Sequence, residues 1–124
     1  MYKIVTLMKR RTGMPVEAFQ SRWLEHAQVA ADAPGLRRYV QSHTLLQGYA
    51  KGERLYDGIG EMWFDSREAW LAACEDAAYG ERIARDEQAF LDPARKVVMP
   101  VQALVIKDGS IPPNGVKNIE FVNR

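Results

Sequence analysis

A single apolar stripe on a helical period, bounded by breakers and flanked by β-prone runs, limits this chain more than any other feature. Val16, Phe19, Trp23, Ala27 and Ala30 recur at three- and four-residue steps, so one side of a helix is apolar and must be covered. Gly13 and Pro15 break the chain before it. Pro is favoured in the first turn of a helix, where its missing N–H costs nothing. Pro34-Gly35 ends the segment.

The remaining segments supply a sheet. Residues 2–8 form a short apolar and β-branched run, which suits a strand. Leu36 to Leu46 reads as a second strand, long enough to be bent or bulged, and Gln47 to Leu55, with Gly48 and Gly52, as a loop. Tyr56 to Phe64 is a third strand. Asp65-Ser66, with Glu68 close behind, is a capping signal for a second helix that buries Trp70, Leu71 and Cys74. A third helical segment is expected after Gly80, through Phe90, with Pro93 marking its end; Lys96 to Lys107 is the last strand. This order predicts an α+β, ferredoxin-like β-α-β-β-α-β domain over residues 1–107 with one extra short helix. Residues 108–124, rich in Gly, Pro and Asn, form a C-terminal extension.

The last strand bears on what covers the sheet. Val97, Met99, Val101, Ala103 and Val105 fill one parity, while Val98, Leu104 and Ile106 take most of the other. A sheet with one solvated face should alternate apolar with polar. A second copy of the same sheet, in a two-fold homodimer, is the simplest cover, and the tail could lie over that partner.

Composition removes several classes. Seventeen Lys and Arg against sixteen Asp and Glu leave a net charge of +1, so no basic face is available for nucleic acid or an anionic membrane. The apolar runs are far shorter than the ~20 residues that cross a bilayer. Residues 1–8 hold no signal-peptide core and are followed by Lys9-Arg10-Arg11, and the one cysteine, Cys74, has no disulfide partner. A soluble, cytoplasmic protein is expected. There is no Gly-rich phosphate loop, no nucleophile elbow and no metal-ligand spacing around either histidine. Cys74, on the helix stripe, reads as a small hydrophobe.

His26 lies seven residues after Phe19 and three after Trp23, roughly 20° from Phe19, inside the apolar stripe. An imidazole turned inward needs a hydrogen-bond partner, and imidazole titrates near neutrality, so the position suits either a tied core residue or a proton carrier. On the second strand Tyr39, Gln41 and His43 share one face. That face lies either toward the helices, where Tyr39, His43 and His26 could converge, or toward a partner. On the third strand Glu61 and Trp63 share a face with Asp57 and Ile59, with Met62 and Phe64 on the other. Glu61 is a possible base or a partner for Lys or Arg. Gly58 and Gly60 leave space beside the strand. Trp23, Trp63 and Trp70 suit a core, and Trp23 and Trp63 could also wall a pocket.

The segment Phe19-Gln20-Ser21-Arg22-Trp23-Leu24-Glu25-His26-Ala27, followed by Pro34-Gly35-Leu36-Arg37-Arg38-Tyr39, resembles the EthD family, in which a helix carrying spaced Phe, Trp and His-Ala leads into a P-G-L-x-x-Y strand. The stretch Asp57 to Ser66 resembles the family's second typical segment, and the likeness spans residues 2 to about 105. It implies a dimeric α/β-barrel and small-molecule chemistry without a cofactor; relatives include a methylmuconolactone methylisomerase and polyketide-tailoring dehydratases or decarboxylases. It also implies His26 and Tyr39 as the functional pair. The expected activity is acid/base isomerase or lyase chemistry on a small cyclic lactone, enol or polyketide-like compound. His26 would be the base and Tyr39 the donor, with Phe19, Trp23, His43, Glu61 and Trp63 around the substrate. A non-catalytic binding or accessory protein, or an oxygenase, cofactor-free or haem-dependent, are the alternatives. The tail departs from shorter relatives.

Overall fold

The stripe of the first helix lies against an antiparallel sheet. The structure, a computed structural model describing residues 1–124, runs β1 (Tyr2–Met8), α1 (Val16–Ala30), β2 (Leu36–His43), β3 (Gly58–Phe64), α2 (Arg67–Glu75), α3 (Ala77–Glu87) and β4 (Val97–Val101), with short 3-10 turns at Leu46–Tyr49 and Pro93–Arg95. The strands lie in the order β2-β3-β1-β4, all neighbours antiparallel. This is the expected ferredoxin-like arrangement. No helix is long and apolar enough to cross a membrane.

Local chemistry sets the boundaries. Pro15 stands as the cap residue just before α1, its carbonyl accepting from the Phe19 N–H. After α1 the chain turns at Gly35, whose φ of 76° is one that only glycine adopts without strain. The second strand carries its bulge between Leu36 and Arg38. Ser66 caps α2 through the Ala69 N–H at 3.1 Å.

Four sequence expectations are corrected. The third helix begins at Ala77, capped by Asp76 on the Tyr79 N–H at 2.8 Å, so Gly80 lies inside it and Phe90 beyond it. An interior glycine costs only about 1 kcal/mol, less than a good cap and the packing of a helix supply. Helix α2 turns Ala73 rather than Cys74 to the core, and Cys74 is exposed. The small Ala69 and Ala73, one turn apart, let the helix close on Ile4 and Phe64. The third strand starts at Gly58, not Tyr56. The last strand stops at Val101 and does alternate, with Val97, Met99 and Val101 half-buried but Val98 and Pro100 exposed. In the antiparallel register Val97 faces Leu7 and Val101 faces Lys3. Since β1 starts at Tyr2, residues past Gln102 find no strand opposite them. Leu104, Val105 and Ile106 are therefore exposed.

The core lies on the helix side of the sheet. Met8, Phe19, Trp23, Phe90 and Leu91 form one cluster, and Ile4, Ala33, Phe64 and Ala73 the other. Phe19, Trp23, Phe64 and Phe90 are almost wholly buried, each worth roughly 1.5–3 kcal/mol in apolar transfer. The opposite face carries Lys3, Val5 and Leu7 beside Ile59, Glu61 and Trp63, and Val97, Met99 and Val101 on β4. Of these only Leu7 and Glu61 are buried.

Candidate active site

Helix α1 turns Arg22 and His26, one turn apart, toward α3, and a single carboxylate receives both. Asp86 Oδ2 lies 2.6 Å from His26 Nδ1, and its other oxygen accepts from Arg22 Nη2. The Arg22 guanidinium, with help from His26, holds the Asp86 carboxyl below its ordinary range against the opposing effect of burial. An ionised carboxylate only accepts, so Nδ1 carries a proton, and in the neutral form of the ring the lone pair sits on Nε2. His26 is 4% exposed and its ring packs on Phe90, centroids 5.0 Å apart. The one sealed, unpartnered side-chain polar atom in the molecule is Trp23 Nε1. Nε2 of His26, which also makes no hydrogen bond, is thus in contact with accessible space.

Tyr39, Gln41 and His43 lie on the helix side of β2 and form a chain. Gln41 Nε2 donates to the Trp23 carbonyl and to the Tyr39 hydroxyl, each at 2.9 Å. His43 Nε2 donates to Gln41 Oε1 at 2.8 Å, which assigns His43 the Nε2–H tautomer. Because the Tyr39 oxygen accepts from Gln41, its own proton is free to point elsewhere. Burial raises the Tyr39 phenol; Gln41 works against that rise, as does the Trp23 indole, although Trp23 makes no hydrogen bond of normal geometry to it. The Glu87 carboxylate adds to the rise at Tyr39 and at Tyr79, the latter pushed up to about 12 chiefly by burial. Burial alone lowers the His43 imidazole.

The structure brings His26, Tyr39, Phe19, Trp23 and His43 to the helix side of the sheet. It ties the two histidines to different partners. The His43 ring stacks on Trp23 at 4.5 Å, and Phe19 and Trp23 are wholly packed in the core. The space over Gly58 is filled by the Trp23 indole, which would stand 2.6 Å from a Cβ there. Glu61 and Trp63 lie on the opposite face. Burial works to raise Glu61, but Lys117 and Lys3, each 2.6 Å away, outweigh it and hold the carboxyl low. Lys3 and Arg38 each place their charge over the Trp63 ring, 4.9 and 4.8 Å from its centroid. Two cavities, about 640 and 780 Å³, lie to the side of the His26–Asp86 pair: Glu87 and Lys96 line the first, His43 and Arg54 the second.

Asp86 and Gln41 emerge only from the structure as partners of the expected pair. The signal for Asp86 was Arg22 and His26 at i and i+4, a cation and an imidazole on one helical face that together ask for an acid opposite.

Solved structures share this fold. An EthD-family protein of Bacillus halodurans matches with 22% identity and a TM-score of 0.66, covering 84% of this chain and 99% of its own. A dimeric ferredoxin-like protein of unknown function from Thermobifida fusca matches with 16% identity and a TM-score of 0.59, covering 82% and 90%. SnoaB, a cofactor-independent oxygenase from Streptomyces nogalater, has 12% identity and a TM-score of 0.59, covering 86% and 97%. No curated protein matches the chain. The family model of the EthD domain matches residues 11–94, more than half of the sequence and the whole stretch from α1 to α3; the chain belongs to the EthD family.

Proposed function

We propose that the protein is a cofactor-independent acid/base enzyme acting on a small cyclic lactone, enol or polyketide-like compound. The observation that carries this is the Asp86–His26 pair, a carboxylate that fixes the tautomer and leaves Nε2 as the unpaired base. His26 Nε2 removes the proton α to a carbonyl and returns it at the product carbon. Tyr39, turned into a donor by Gln41, stabilises the enolate oxygen that develops between those steps. A positioned base contributes about 10²–10⁴-fold, and one oxyanion donor about 10²–10³-fold. Substrate must reach Nε2, the ring nitrogen that no protein group occupies. The likeness to SnoaB favours a second reading, in which the same base forms an electron-rich anion that reacts with oxygen.

The protein acts as a homodimer joined through the β1–β4 side of the outer sheet face. Support comes from the dimeric Thermobifida fusca neighbour and from the half-buried Val5, Val97, Met99 and Val101 on the β1–β4 part of that face. Sedimentation at micromolar concentration checks this, and a monomer mass refutes it.

Turnover of a lactone and hydroxy-aromatic panel tests the chemistry. His26→Ala should lower kcat by 10²–10⁴-fold with the fold retained. Turnover equal to the wild type's in that variant sinks the assignment, while ligand binding without turnover in the wild type marks a binding protein instead.

A further inference from the structure

The cavity of about 780 Å³ lies away from the His26–Asp86 pair, between the loop after β2, the outer face of β2 and β3, and the C-terminal tail. Its wall contains Arg54, Lys117 and His43 but no Asp or Glu among seventeen lining residues. Arg54 is held from two sides. Its carbonyl accepts from Lys9 Nζ at 2.7 Å, and its Nε donates to the Gly48 carbonyl at 2.6 Å. Neither terminal nitrogen of its guanidinium meets an acid. The adjacent Glu53 is engaged by Arg10 and Lys9, at 2.5 and 2.7 Å, and those two cations hold its carboxyl down to about 2. The guanidinium is therefore anchored through Nε and unmatched by an acid.

The neighbouring ion cluster has the same sign, while Glu120 of the tail accepts from the Asn118 amide. Glu61 takes both Lys3 and Lys117, so that cluster keeps one excess positive charge. The apolar part is aromatic. Phe121 of the tail meets Tyr56 edge-on, centroids 6.3 Å apart, beside Ile59 and Leu55. A planar guanidinium pairs best with a planar carboxylate through two parallel hydrogen bonds. Aromatic walls accept a flat ring, and the volume is that of an ordinary small-ligand site.

We infer that this cavity is a second small-molecule site, for a flat hydrophobic monocarboxylate whose acid group is taken by Arg54 and whose ring lies against Tyr56 and Phe121. The tail forms one wall, so it is part of the site rather than an appendage. His43, whose ring also stacks on Trp23, is the one residue common to this cavity and the Tyr39–Gln41 chain.

Isothermal titration of the full chain with 2-naphthoate, 2-naphthylmethanol and 2-naphthylmethylammonium tests the inference. The acid should bind once per chain with a submillimolar Kd, at least tenfold more tightly than the alcohol, and the ammonium should bind weakest. Arg54→Gln, a change at an exposed side chain, should weaken the acid by about tenfold with an unchanged melting temperature. Phe121→Ala should weaken all three ligands by a similar factor. Equal affinity for acid and alcohol, unaltered binding in folded Arg54→Gln, or no heat at millimolar naphthoate each overturns the assignment.

Discussion

Two acids in this molecule are both held by an arginine, and they differ in what they leave unsatisfied. Asp57, wholly buried, receives the Arg10 backbone N–H at 2.9 Å, Arg10 Nη1 at 2.7 Å and the Tyr49 hydroxyl at 2.6 Å, with Lys9 Nζ at 3.5 Å. Its N–H and carbonyl are also engaged, by the Met8 carbonyl and the Thr44 hydroxyl. Asp86 is one-fifth exposed and faces Arg22 and His26. The first constellation closes on itself and pins the 44–57 loop to β1. The second ends on a ring nitrogen with no protein partner. Saturation thus separates a structural latch from a site, although both consist of the same residue types.

The largest test of that contrast is Asp57→Ala. Removing one partner of a buried ion pair strands the other, at a cost of about 3–5 kcal/mol, so urea denaturation should show a loss in that range. A loss below about 1 kcal/mol would mean the latch is not closed. Asp86→Asn should cost only about 1 kcal/mol yet reduce turnover at least tenfold, since an amide can present either a donor or an acceptor to Nδ1 and no longer fixes the tautomer. Equal falls in stability for the two variants would erase the distinction.

The smallest effect concerns the second histidine, whose partner is the Gln41 amide rather than an acid. Burial lowers its folded pKa, so the unfolded chain binds the proton more readily. The stability tied to His43 is present above the unfolded value of about 6.5 and is lost as pH falls through the lower folded value. His43→Gln should flatten that part of the stability profile. NMR titration should place the His43 midpoint below 6.5 and show an Nε2–H tautomer at neutral pH.

Much of the frame was legible in the residues. The stripe from Val16 to Ala30 and the run Tyr2 to Met8 match the observed elements because periodicity and breakers agree there. The inward phase of His26 followed from the same geometry. The end of β4 did not, because an apolar run continues in sequence whether or not a strand stands opposite it. In helix α2 Trp70 packs on the core as its size suggests, but the fully buried position is Ala73 rather than Cys74, since Ala69 and Ala73 allow the close approach. The polar partners were least visible. Asp86 lies sixty residues from His26, and only the crossing of α1 and α3 makes them neighbours. The fixed Arg54 depends on Lys9 in the same way.

The indole resting on Gly58 also governs how this sequence can drift. A side chain at position 58 must displace Trp23, and Trp23 carries the ring on which His43 stacks and the carbonyl to which Gln41 donates. Positions 23 and 58 are therefore one heritable unit. A lineage that trades the indole for a smaller ring gains freedom at 58, and one that keeps the indole must keep the glycine.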